Sequence, residues 1–341
     1  MWKITKKKIK QFLELIKLYK SFKDPSRLLL FNSFLMDYNR VCEFSYVGKT
    51  DNPTKDFYLV FINIYYHSIE KGLAFKDFRP GFGKKKIIEL SSMLTHVIQD
   101  NNSEGELNKL VLYASSVLHN YLKLHNEIGY VLDVEVQNAI NSVLSKTGNM
   151  ETVDSIQEYR LTNTQTQNDE LTSLIKNRRS VRHFINKTPS IGKVKKAVKM
   201  AANCPSACNR QAYIVRYTDN RNKIENILKI QGGTSGFSAI PGLLIITFSR
   251  KFYHNSIERN SGFIDSGIYI MNLVYTLILE GLGSCILNNA FNEKKDKKMR
   301  ECIKDVNQYE EFVAFLAIGE TDTSALSPAS HKALSELIVL K

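Results

Sequence analysis

Proline is scarce in this chain, seven in 341 residues, and glycine is held to 17, which excludes collagen-like and Pro/Gly low-complexity classes. No run reaches the roughly 18 uninterrupted apolar residues of a membrane span. The best candidate, residues 263–279, is broken by Asp265 and Asn272 and reads as a buried core helix. The five cysteines, Cys42, Cys204, Cys208, Cys285 and Cys302, are odd in number and irregularly spaced, so neither a disulfide framework nor a zinc ribbon can be read from them. The seven histidines are scattered, and no metal site is expected. Acidic residues are outnumbered 34 to 47, a net charge of +13 that favours anionic partners. Near the start of the chain, Glu14, Lys17 and Lys20 interrupt the apolar residues, so no continuous secretory h-region forms. A cytoplasmic protein is expected.

What is present is the balance of a folded chain, 43% hydrophobic and 24% charged, long enough for one large or two medium domains. Residues 2–22 place Ile9, Phe12, Leu13, Ile16 and Tyr19 at helical spacing among lysines. This basic helix either packs on its own domain or lies on an anionic membrane surface. Helical signals recur at 54–75, 86–99, 104–124 and 133–145, so residues 1–156 read as a mainly α-helical domain. Residues 157–170, QEYRLTNTQTQNDE, are nearly devoid of aliphatics and read as a linker.

Residues 171–341 mix both elements. A short helix around Leu171, Leu174 and Ile175, capped by Asp169, is followed by one through Ile191, Val194, Val198 and Ala201. Strands are expected at 213–217, 243–248 and 312–318, and further helices at 263–279 and 293–303. The expected fold class is α+β, a sheet covered by helices.

Three segments concentrate chemistry. KNRRSVRHF, residues 176–184, crowds Arg178, Arg179, Ser180 and Arg182 where a helix turns extended, and forked guanidinium donors match phosphate oxygens. CPSACNRQ, residues 204–211, sets Ser206, Asn209, Arg210 and Gln211 beside a strand entrance, groups that can satisfy a heteroaromatic edge. GLGSCILNN, residues 281–289, has glycines that permit close backbone approach but not the full dinucleotide fingerprint. GFGKK, residues 81–85, lacks the upstream glycine of a phosphate loop. No nucleophilic triad or carboxylate dyad is evident, and nothing beyond charge suggests nucleic acid.

Taken in order, RRSVR, PSACNRQ, DSG with its long apolar helix and GLGSC, then FVAFLAIGE, resemble the FMN-dependent nitroreductase family over residues 170–341. The stretch FYLVFINIYYHSIEKGLAFKDFRPGFGKKK resembles the helical extension of a subgroup from bacterial surface-polysaccharide gene clusters. The resemblance implies FMN as cofactor and NAD(P)H as reductant, with hydride passing through the flavin to a small-molecule acceptor. It implies no catalytic side chain, because the chemistry belongs to the cofactor. Arg178, Arg179 and Ser180 would hold the phosphate, and Arg182 the pyrimidine edge, where a cation stabilises charge on the reduced ring. Pro205, Ser206, Asn209 and Gln211 match the loop that contacts flavin across a subunit interface. Leu287, Asn288 and Asn289 would give backbone contacts near the hydride-carrying nitrogen. The C-terminal phosphate motif is altered to Ser330, His331, Lys332, Ala333 and Leu334, which leaves His331 and Lys332 as its basic pair. A homodimer with FMN at the interface follows, its core the helix at 263–279, and acceptor-facing residues are expected at 231–238 and 252–260. A competing reading is a flavin-binding or flavin-free scaffold in polysaccharide assembly that works through the helical domain.

Overall fold

The computed structural model describes residues 25–45, 54–75, 78–100, 106–147, 164–237, 239–253, 256–321 and 327. The basic helix expected at 2–22, most of the linker, and the pair His331 and Lys332 lie outside the described residues.

The first half is helical: α1 (Pro25–Phe44), α2 (Lys55–Leu73), α3 (Lys84–Gln99), α4 (Glu106–Glu127) and α5 (Val134–Thr147). The last four share one core in which Ile62, Leu90, Leu118, Tyr121 and Ile140 are fully buried, following the apolar spacing within each helix. GFGKK belongs to this packing. Gly81 (φ 73°) and Gly83 (φ 77°) turn the chain into α3, and the Gly81 N–H donates to Nε2 of buried His125 at 3.0 Å. His125 Nδ1 faces the Tyr121 carbonyl at 2.7 Å, so the ring is held neutral. Burial lowers its pKa, against the pull of that carbonyl.

The second half contains α6 (Gln165–Asn177), α7 (Ile191–Ala201), β1 (Tyr213–Thr218), α8 (Arg221–Gln231), β2 (Gly242–Ser249), α9 (Ser261–Leu279), β3 (Gly283–Asn288), α10 (Glu293–Ile303) and β4 (Glu310–Gly319). The strands form one antiparallel sheet in the order β1-β2-β4-β3. Its central strand β2 is buried along its whole length. One face packs on α7 and α9 through Leu244, Ile246, Leu273, Leu277 and Leu316. The other carries Leu243, Ile245 and Phe315 against Ile227 of α8 and Met299 of α10.

Five sequence expectations need correction. Residues 165–170 are the first turns of α6 rather than linker, because Thr164 and Gln167 form a reciprocal capping box. Asp169 therefore lies inside the helix, accepting from Gln165 at 2.9 Å. Residues 283–288, read only as a backbone-approach segment, form strand β3, and α8 was not foreseen. Finally, α9 is buried on one face only. Phe263, Ile264, Ile268 and Leu279 stay 41%, 61%, 40% and 62% exposed.

The halves are joined by side chains. Arg40 of α1 pairs with Glu311 at 2.8 Å and donates to the Gln308 carbonyl at 3.1 Å. Lys251 reaches Asp56 of α2 at 2.5 Å.

Candidate functional site

Residue 178 ends α6 in a non-helical conformation, and the chain runs extended across the sheet edge. The Val181 N–H donates to the Ser284 carbonyl at 2.9 Å, Ile185 N–H to the Glu320 carbonyl at 3.0 Å, and Phe184 bridges Thr321. Gly283 makes this closure fit. A Cβ there would meet Thr321 Oγ1 at 2.6 Å and Val181 Cγ2 at 2.9 Å.

Arg178 is half-buried and Arg179 exposed. Among the described residues no carboxylate pairs with either. Arg179 Nη1 donates to the carbonyls of Lys176 (2.6 Å) and Arg178 (3.0 Å), closing the helix end. Both arginines line a cleft of about 1270 Å³, walled by Leu171 and Leu174 of α6, Leu279 of α9, and Gly283. Arg182 turns away from this cleft. Its Nη1 donates to the Ser180 carbonyl at 3.2 Å, its guanidinium lies 5.9 Å from the Phe237 ring centre, and it faces Cys285. Burial raises the thiol pKa of Cys285, while Arg182 and the Ser180 hydroxyl oppose that rise.

At the far end of β3, Leu287 is buried and Asn288 exposed. Gln231 of α8 donates to the Asn288 carbonyl at 3.1 Å. Asn289 donates to the Phe312 carbonyl at 2.7 Å, but its buried Oδ1 has no partner. An orphaned buried acceptor costs about 1–3 kcal/mol, which a ligand donor would recover.

The loop at 205–211 is conformationally unusual: Cys208, Asn209 and Gln211 all have left-handed φ, near 49°, 52° and 48°, costly for residues with a Cβ. It is held from several sides. Buried Asp265 accepts the Ala207 N–H through both oxygens, at 3.1 and 3.2 Å, and the Tyr253 hydroxyl at 3.2 Å. Burial raises its pKa, and those hydrogen bonds pull it back only in part. Fully enclosed Arg210 pairs with Glu258 at 2.7 Å and donates to the Ala207 carbonyl at 2.9 Å. Ser206 Oγ accepts the Gln211 N–H at 3.1 Å. Pro205, Asn209 and Gln211 are exposed.

The structure thus brings Arg178, Arg179, Ser180 and Arg182 to the start of β3, and Leu287 to Asn289 to its other end. It does not bring the Asn209 turn to the arginines within one chain. The turn sits by Asp265 near the start of α9, whereas the arginine cleft is walled by Ile278 and Leu279 at its end, about 20 Å away at 1.5 Å per residue. Sequence reasoning missed the roles of Thr321, Gln231 and Asp265. Only Asp265 had a local signal, a carboxylate within an apolar helix.

The residues fit a phosphate-bearing heteroaromatic cofactor. Two arginines with no carboxylate partner among the described residues suit a phosphate, and the orphaned Asn289 Oδ1 suits a ring N–H donor.

No protein-family model and no curated protein matches this chain. Among solved structures it is similar to an FMN-dependent nitroreductase from Clostridium difficile (20% identity, 46% of this chain and 91% of that one, TM-score 0.40). It is similar also to a nitroreductase with bound FMN from Bacteroides fragilis (19%, 50% and 99%, TM-score 0.43). A third is a BluB-like flavoprotein from Clostridium difficile (20%, 48% and 94%, TM-score 0.40).

Proposed function

We propose that this chain is an FMN-dependent NAD(P)H oxidoreductase that acts as a homodimer on a small-molecule acceptor. The observation that carries the reading is the Arg178–Arg182 run, docked along the start of β3, with no carboxylate paired to Arg178 or Arg179 among the described residues. A basic turn serving only solubility gains nothing from the tight closure over Gly283.

When bound, FMN would supply the hydride chemistry between NAD(P)H and the acceptor. Arg178 and Arg179 bind its phosphate. Arg182, over the Phe237 ring and facing Cys285, brings positive charge to the β3 edge, where it would favour a more negative ring. Asn289 Oδ1 accepts from the ring, and Phe237 with Leu287 excludes water.

The dimer follows from the separation of the two half-sites. Two chains pairing their α9 helices antiparallel would set the Asn209 turn of one beside the arginines of the other. The exposed apolar stripe Phe263, Ile264 and Ile268 is available for that contact. A role in surface-polysaccharide assembly rests on the resemblance of the helical half alone.

The test is the visible spectrum of protein reconstituted with FMN, recorded before and after NADH or NADPH without oxygen. Bound-flavin absorbance that bleaches on reduction is expected. Absence of both binding and bleaching overturns the enzyme reading in favour of a flavin-free scaffold.

A further inference from the structure

Helix α9 carries a single charged residue among its 19, Asp265, and that residue is buried while its neighbours Phe263, Ile264 and Ile268 are exposed. The carboxylate thus sits on the inner side of the helix turns that bear the apolar stripe. Close packing lets it reach the 205–211 turn. Gly262 lies against the Phe248 ring, which an added Cβ would approach to 2.3 Å, and one helical turn past Asp265 the Tyr269 ring stacks on Tyr213 of β1 at 4.0 Å. Ala207, which precedes the left-handed stretch, is gripped at both its backbone groups. Its N–H donates to both Asp265 oxygens, at 3.1 and 3.2 Å. Its carbonyl accepts from Arg210, through Nε at 2.9 Å and the backbone N–H at 3.1 Å. Arg210 donates further to the Phe252 carbonyl at 2.8 Å and to the two Glu258 oxygens at 3.0 and 2.7 Å, with its guanidinium 5.0 Å from the centre of the Tyr253 ring. The Tyr253 hydroxyl closes the circuit by donating to Asp265 at 3.2 Å.

We infer that Asp265 is a positioning residue for the cofactor site: its carboxylate ties the strained 205–211 turn to the helix proposed as the dimer interface, so that one element sets both. The inference rests on the flavin and dimer reading above and extends it to a residue that itself touches neither cofactor nor acceptor. The physical reason is strain. Residues with a Cβ at positive φ persist only where their surroundings over-determine them, and here three of them follow Ala207 within four positions. The carboxylate that holds the entry to this stretch is kept at a cost. Burial raises its pKa above the ordinary 3.8, the Ala207 N–H, the Tyr253 hydroxyl and Arg210 pull it back, and Glu258 adds to the rise. Cys204 and Tyr213 also face it, and its charge helps to raise their pKa values. A carboxyl with a raised folded pKa contributes stability that is present below about 3.8 and lost as pH rises through the folded value. At neutral pH the charge therefore opposes global stability, the trade expected of a residue kept for a site rather than for packing.

Asp265→Asn keeps the side-chain shape and stays neutral at every pH, and it separates positioning from packing on the full chain. At neutral pH its thermal midpoint should match or exceed that of wild type, the two converging as pH falls through the folded pKa of Asp265. In flavin-free protein, amide exchange at Ala207, Asn209 and Gln211, whose N–H groups donate to Asp265, Ser206 O and Ser206 Oγ, should quicken about tenfold, as a neutral acceptor in place of a charged one implies. Exchange within β2 should stay unchanged. FMN titration followed by flavin fluorescence should show a dissociation constant raised about tenfold. A lower midpoint with faster exchange in the turn and β2 alike makes Asp265 a packing residue and overturns the inference. Unchanged exchange at the turn overturns it too, whatever FMN does. Faster exchange with an unchanged dissociation constant overturns the link to the cofactor. Tyr253→Phe keeps the carboxylate, removes one donor to it, and serves where Asp265→Asn does not fold: the same three amides should quicken severalfold, and unchanged rates overturn the positioning role. Wild-type protein that binds no FMN overturns the functional reading and with it this link, while the exchange arm still decides whether Asp265 sets the turn.

Discussion

Arg178 and Arg179 stand next to each other, yet their substitutions should behave differently. Arg179 closes the end of α6 through two carbonyls, so Arg179→Ala costs some helix stability as well as phosphate affinity. The Arg178 side chain makes no such contact among the described residues, and Arg178→Ala should leave thermal stability within about 0.5 kcal/mol of wild type. FMN affinity should fall by tenfold or more, as loss of a charge-assisted hydrogen bond implies. Equilibrium titration alongside thermal melts separates the two effects; equal affinity in Arg178→Ala would remove the arginine from the site. His125 offers a second single-residue test, unrelated to the cofactor. Its folded pKa lies below the ordinary 6.5 because burial disfavours the charged ring. Its contribution is therefore present above about 6.5 and lost as pH falls below it. The thermal midpoint should drop between about pH 7.5 and about 5.5, with exchange rising first in the turn at 81–83. A His125→Gln protein should be less stable at the higher pH and less pH-sensitive; an unchanged pH slope would exonerate the histidine. The residue chemistry of RRSVR was legible in sequence because charge density is a local property. The partners that shape the Asn209 turn were not, since Asp265 and Glu258 reach it from 58 and 48 positions away.

The elements were most legible where apolar period and length were unambiguous. β2, β4 and the helices α3, α9 and α10 fall close to their expected bounds. The missed α8 carried its signal: Asn220 caps it, Ile224, Ile227, Leu228 and Gln231 share its buried face, and Gly232 closes it. That face is diluted by charged residues, which hides its period in the sequence. β3 was missed for a different reason. It starts at a glycine and ends in two asparagines, and only pairing with β4 makes six residues a strand. What holds the sheet's other end is a buried ion pair. Glu310 of β4, fully enclosed, accepts from Arg216 of β1 at 2.7 and 2.8 Å, Thr247 of β2 at 2.6 Å and the Asn307 backbone at 3.2 Å. Burial alone would raise its pKa, but these donors outweigh it and hold the pKa below the ordinary 4.5. The stabilisation it adds is present above about 4.5 and lost as pH falls through the folded value. Glu310→Gln should cost about 3–5 kcal/mol at neutral pH, as breaking a buried pair does. Chemical denaturation at neutral and acid pH measures both quantities. A variant losing less than about 1 kcal/mol would mean that Arg216 finds another partner.

At the scale of the whole molecule, the chain leaves an apolar helix face exposed just where its two half-sites fail to meet. Phe263, Ile264 and Ile268 lie on α9, whose other face is packed on α7 and the sheet. Exposed α6, with no residue buried, adds Leu171 and Ile175 at 55% and 52%. A 13-residue helix is marginal without packing, so both elements call for a covering surface, and in the proposed dimer a second copy of the chain would supply one of matching polarity. Ile264→Asp places a charge at the centre of the stripe. In a single chain position 264 is 61% exposed, so the substitution should change monomer stability by no more than about 0.5 kcal/mol. Across a dimer interface it buries an unpaired carboxylate, which is expensive. Light scattering after size exclusion should therefore show the wild type at twice the chain mass and Ile264→Asp at the chain mass. FMN should be lost in the same variant while its far-ultraviolet dichroism is retained, because each half-site would then stand alone. Should Ile264→Asp keep both its mass and its flavin, α9 is not the interface, and the Asn209 turn must serve something other than the partner's cofactor.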